Sequence, residues 1–136
     1  MITLLDIAEM LAQLQAADRD HIFVGMMPRK KPHSIGVYHN KRSGGKKVIA
    51  VGGKKCSSYN IKKVSFLVHW DEREGDTEVA AARVYEVLEG LRNVTVNGKK
   101  ILFAQLSDNE PIGVGTDDDG IYEMVIEADI YYERED

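Results

Sequence analysis

The sequence predicts an α+β domain: a largely antiparallel sheet with two helices packed on it, plus a mobile basic hairpin or arm. Three observations carry that expectation. Residues 122–132 alternate strictly, with Tyr122, Met124, Ile126, Ala128, Ile130 and Tyr132 on one side and Glu123, Glu127 and Asp129 on the other. Successive strand side chains point to opposite faces, so one face is apolar and the other largely acidic. Two other stretches, Leu4, Ile7, Ala8, Leu11, Leu14 and Ala80, Val84, Val87, Leu88, Leu91, recur at helical spacing. Residues 41–47, Lys-Arg-Ser-Gly-Gly-Lys-Lys, hold two glycines and no apolar side chain to pack, which suits a mobile hairpin tip or arm. The order helix, strands, helix, strands is that of an α+β fold.

Taken in order, Thr3 with Asp6 three residues on makes a capping-box start for a helix over residues 3–17. Residues 21–27 are short, apolar and closed by Pro28, as a strand would be. Residues 35–40 and 48–51 are further strand candidates, and residues 62–70 alternate, with Val64, Phe66, Val68 and Trp70 on one side. Asp76 or Thr77 can cap the second helix, with Glu78 in its first turn. Asn97-Gly98 between two apolar runs is a hairpin signal, because a tight turn needs two positive-φ residues. Pro111, Gly113, Gly115 and Gly120 then mark a loop before the final strand.

The length of 136 residues suits one domain, residues 1–136, able to bury roughly two-thirds of its unfolded surface. The single Cys56 has no intrachain partner for a disulfide, which favours a reducing compartment. The N-terminal run carries Asp6 and Glu9 and no basic start, so it does not read as a signal peptide. No run of about 18 apolar residues occurs, which excludes a membrane-spanning helix. These features predict a soluble, cytoplasmic protein with no membrane partner.

The net charge of -4 conceals a division. Residues 21–70 hold eleven Lys or Arg and no acid, whereas residues 71–136 hold eighteen acids against six bases. Such asymmetry favours association with nucleic acid or with a surface of opposite sign. Lysines on loops could grip phosphates, with Tyr38, Tyr59 or Trp70 stacking on bases, so residues 29–63 are a candidate nucleic-acid-binding module. Against it stand the acidic excess in the same domain and the place of Trp70 on the apolar side of its strand. Subunits that meet plus to minus fit the division better, through a heterologous contact that can close a ring.

Ligand and catalytic motifs are poor. Asp117-Asp118-Asp119-Gly120 lacks the alternating oxygens and flanking helices of a calcium loop. Gly113-Val114-Gly115 lacks the third glycine and following helix of a dinucleotide site. Residues 43–47 lack the spacing of a phosphate loop. His21, His33, His39 and His69 do not recur at metal-ligand spacing. Ser57, Ser58 and Cys56 show no linked His and acid, although folding could assemble one from afar. The expectation is therefore no enzyme, no cofactor and no metal site.

In whole-length order the chain resembles the tail terminator or minor capsid proteins of long-tailed bacteriophages and their prophages. The residues that carry the resemblance begin with an N-terminal helix, the segment from His21 to Pro28, and Ile35-Gly36-Val37-Tyr38. The strand ending at Trp70, the second helix, and Asn109-Glu110-Pro111-Ile112-Gly113-Val114-Gly115-Thr116-Asp117 before the long strand complete it. The lysine-rich middle and the extra Asp in the turn depart from the pattern. The resemblance implies an α+β subunit of a ring, commonly a hexamer, at the head-proximal end of the tail. Such a ring stops polymerisation of the tail tube and meets the head connector, while DNA passes through its hole without specific binding. It implies a place in the virion tail, with host cytoplasm during assembly. The interface candidates are Lys30, Lys31, Lys46, Lys47, Lys54 and Lys55 against Asp117, Asp118, Asp119, Glu123, Glu127 and Asp129.

Overall fold

The computed structural model describes residues 1–27, 31–40 and 59–134. In chain order these form α1 (Leu4–Gln13), a 3-10 turn (Arg19–His21), β1 (Ile22–Val24), β2 (Ser34–His39), β3 (Tyr59–His69) and α2 (Glu74–Glu89). They continue with β4 (Arg92–Val96), β5 (Lys99–Leu106), β6 (Ile112–Thr116) and β7 (Tyr122–Glu133). The expected strand at 48–51 and the basic arm at 41–47 lie outside the described residues.

The capping box forms as read: Thr3 Oγ1 accepts the Asp6 N–H at 3.1 Å, and Asp6 Oδ2 accepts the Thr3 N–H at 2.9 Å. The helix ends at Gln13, short of residue 17. Gln15 takes a positive φ of 62°, its N–H bonds to Ala12 O, and the Ala16 N–H reaches back to Leu11 O at 2.9 Å. This double closure is a Schellman motif that satisfies the last carbonyls and turns the chain out of the helix. At the start of α2, Thr77 and Asp76 are not the cap. The helix begins at Glu74, Asp71 Oδ1 takes the Arg73 N–H at 2.9 Å, and buried Thr77 donates its hydroxyl to Arg73 O.

β7 is the centre of a mixed sheet with strand order β1-β2-β3-β7-β5-β4. β3 runs antiparallel along one edge of β7, from Tyr59 opposite Glu133 to His69 opposite Glu123. The other edge of β7 is shared end to end. β5 pairs with Ala128 to Tyr132, and β6 pairs with Tyr122 to Val125. β6 corrects the reading of residues 109–120 as a loop: Pro111 and the glycines are turn signals, yet β6 pairs through a bulge at Val114. The segment 21–27 yields only the three residues of β1, because Gly25 at φ 76° leaves the strand, and β1 pairs with β2 in parallel. The β4–β5 turn is as expected, with Asn97 and Gly98 at φ 51° and 75°.

Both helices cover the same face. α2 lies on β3, β5 and β7, whereas α1 touches β1 and β2 at one edge and β4 at the other. A straight ten-residue helix reaches both edges only if the sheet curls around it. Within that curl lie Ile7, Met10, Leu11, Ile35, Val64, Phe66, Leu88, Ile101 and Ile130, each fully buried. Asp6 seals one end of this core. Its carboxylate also accepts bonds from Asn97 Nδ2 and Lys99 Nζ, both 2.8 Å. Burial pushes its pKa up, but the bonds from Lys99, Asn97 and Thr3 outweigh burial and hold it well below the usual carboxylate range.

Candidate functional site

The sheet face turned away from the helices carries the odd-numbered residues of β3 and β7. Their register places Lys63 beside Asp129, Ser65 beside Glu127, Leu67 beside Val125 and His69 beside Glu123. The face is half-buried, and it mixes charge with aromatic groups. Phe103 stacks on Tyr131 with ring centres 4.3 Å apart, and Tyr59 leans on the same ring at 5.4 Å. The face is thus aromatic near Tyr59 and acidic toward His69.

The candidate residues divide by what already holds them. Asp129 meets Lys63 Nζ at 3.4 Å. Glu123 Oε2 is 3.0 Å from Nδ1 of His69, whose ring is buried at the end of β3. Asp117 closes the β6–β7 turn, where its Oδ1 accepts the N–H groups of Asp119 and Ile121 at 2.9 and 3.0 Å. Its Oδ2 stands 3.6 Å from His69 Nε2, too far for a hydrogen bond, and that nitrogen is buried without one. The structure therefore brings Asp117 and Glu123 together around His69, and leaves Asp118 and Asp119 exposed at the turn. Glu127 is half-buried and engaged. Among the candidate lysines, Lys31 is held by its own subunit, donating to Asp20 O at 3.2 Å and lying 5.2 Å from the centre of the Phe23 ring. Lys30, Lys46, Lys47, Lys54 and Lys55 lie outside the described residues.

Tyr38 and Trp70, two of the candidates for base stacking, are also placed by the structure. Tyr38 lies back along β2 over Gly36, where any side chain would strike its ring. Burial raises the Tyr38 pKa, with a further push from the charge of Glu123. His33 packs on Trp70 with ring centres 4.7 Å apart and bonds to Asp71 at 3.3 Å. They border an open cleft of about 670 Å³ that Arg19, His21 and Arg83 also line. The contacts of Trp70 with His33 and of Tyr59 with Tyr131 mean that two of the three aromatic groups proposed for base stacking pack inside the subunit. No helix among the described residues is long and apolar enough to cross a membrane.

The acidic turn and the strand ends that flank the lysine-rich stretch of the sequence lie apart along the β3–β7 ladder. The lysine-rich segment 41–58 joins β2 to β3, so it leaves and re-enters the sheet at Asn40 and Tyr59. The acidic turn 117–119 is at the opposite end, beside His69. Ten residue steps separate Tyr59 from His69, roughly 34 Å of strand.

Comparison with known proteins accords with this architecture. A family model described as "Bacteriophage tail terminator protein" matches residues 9–134. No curated protein matches the sequence significantly. Among solved structures, a chain in "Virion of native gene transfer agent (GTA) particle" superposes with a TM-score of 0.59 at 12% identity, over 96% of this chain and 94% of that one. At that identity the likeness shows a shared fold. The match over residues 9–134 places the chain in the bacteriophage tail terminator family, as a structural protein of the phage tail that takes part in virion assembly.

Proposed function

We propose that the chain assembles head to tail with copies of itself into a ring, a hexamer, at the head-proximal end of the tail. There it ends polymerisation of the tail tube, contacts the tube protein on one side and the head-tail connector on the other, and lets DNA pass through its lumen without specific binding. The division of charge along the chain carries this reading: most of the lysines fall in residues 29–63, and the acidic turn is exposed beside His69. An exposed acidic surface favours a mate of opposite sign, so the turn at 117–119 suits a neighbour's lysines. Asp119, exposed at that turn, is a better mate for Lys46, Lys47, Lys54 and Lys55 than Glu123 or Asp129, which are ion-paired within their own subunit.

Size-exclusion chromatography with light scattering, followed by negative-stain imaging across concentration and salt, tests the ring directly. Rings with a central hole are expected to weaken with salt. The double reversal Lys46→Glu/Lys47→Glu is expected to weaken assembly in a salt-sensitive way. Unchanged ring formation in that variant would remove the pair from the interface.

A further inference from the structure

A sheet edge is a template for another strand, and folded proteins protect their edges. Two of the edges here are protected. β1 is only three residues long, and α1 packs on β4, with Gln13 Nε2 reaching Thr95 O at 3.4 Å. Among the described residues β6 has no such cover and pairs with β7 alone; all five of its residues are exposed, and Ile112 and Val114 stay 42% and 52% accessible. Its far side also offers hydrogen-bonding groups. Tyr122 bonds to Asp71 and Trp70 on the β3 side, so Thr116 opposite it directs its N–H and C=O away from β7. Met124 follows the same alternation, so Gly113 opposite it does likewise.

The charges around β6 specify what it would accept. Residues 107–121 contain Asp108, Glu110, Asp117, Asp118 and Asp119 and no base. One stretch of this chain is complementary: residues 46–55, Lys-Lys-Val-Ile-Ala-Val-Gly-Gly-Lys-Lys, a β-branched apolar run between two lysine pairs. Lys47 and Lys54 are seven residues apart, as are Glu110 and Asp117, so the charges match in either strand direction.

We infer that the open edge of β6 is completed by residues 48–51 of a neighbouring copy, with the lysine pairs 46–47 and 54–55 set against the acids on either side of β6. Chain length favours the neighbour over the same copy. Val125, opposite Ile112, lies eight residues along β7 from Glu133, the partner of Tyr59, a distance of roughly 27 Å. Three strand spacings across the sheet bring the direct path to about 31 Å, whereas the eight residues from 51 to 59 reach at most about 29 Å. Strand addition of this kind draws affinity from main-chain bonds and specificity from the flanking side chains.

The inference rests on the ring reading for its partner, but its test is separate. A labelled peptide of residues 44–57, with Cys56→Ser, is titrated into the full-length protein at low salt and followed by anisotropy. Saturable binding is expected, at least tenfold weaker for the Glu110→Lys/Asp119→Lys protein and for Thr116→Pro, which removes an outward N–H. A peptide carrying Ile49→Pro, with the same charge, is expected not to bind. Absence of binding by the parent peptide, or equal binding by the proline peptide, overturns the inference; the second result would show charge attraction without a strand. Should Thr116→Pro fail to fold, the exposed double charge variant and the proline peptide still decide. Ring formation is scored independently. Full rings built from Thr116→Pro would remove β6 from the subunit contact and leave the ring reading standing. Peptide binding by a chain that never forms rings, with or without tube protein, would do the reverse.

Discussion

β5 and β6 lie end to end against the same edge of β7, and they serve it differently. β5 buries Ile101 and Ala104, is joined to β4 by a tight turn and is covered by α2. β6 has comparable backbone pairing and no buried residue. Backbone pairing is common to both, so the difference lies in apolar area removed from water, which is what stabilises a folded chain. The β5 half of β7 belongs to the core. The β6 half projects an apolar, acid-flanked ribbon that folding does not explain, which directs attention to assembly.

Mutations can break or sharpen this contrast. On the core half, Ile130→Ala is expected to lower stability by about 2–5 kcal/mol, measured by urea unfolding. A loss under about 1 kcal/mol would mean that the β5 half is not the anchored one. Asp6→Asn is expected to cost about 2–3 kcal/mol near neutral pH, because it weakens a capping box and a buried ion pair with Lys99. The sign of its pH dependence follows from a folded-state pKa held below the unfolded value. The Asp6 contribution is complete above roughly pH 4 and is lost as pH falls through the folded value, so wild type and variant should converge in acid. Gly98→Ala, at φ 75°, is expected to cost about 1 kcal/mol at the β4–β5 turn. On the projecting half, Val114→Ser should change stability by less than about 0.5 kcal/mol while reducing assembly in light scattering. A larger loss of stability would place β6 within the core after all.

Much of this was legible in the sequence for definite reasons. Alternation in residues 122–132 and 62–70, the Thr3 and Asp6 cap, and the Asn97-Gly98 turn are local signals whose physics acts within a few residues. β6 was not legible. Pro111, Gly113 and Gly115 are turn formers, and the alternation of Ile112 and Val114 with the two glycines is too short to outweigh them. The parallel pairing of β1 with β2 depends on where the chain returns after Gly25, which no periodicity encodes. The burial of His69 was also invisible. Asp117 and Glu123 enclose it from 48 and 54 residues away. The early start of α2 was missed because Asp71, two residues before Arg73, meets the backbone there in place of a side chain at the cap itself.

The position of α1 across both edges of the curled sheet sets an order of events during synthesis. The helix is made before β4 and β5, and its seat is finished late: Asn97 and Lys99, the partners of Asp6, come 91 and 93 residues later. Contacts of such long sequence separation slow folding, since the loop must close before the contact rewards it. At about 5–20 residues per second, the nascent helix waits several seconds for the β4 side of its seat. Completion of the β4–β5 hairpin is then the step that lets the N-terminal helix dock at both edges of the sheet.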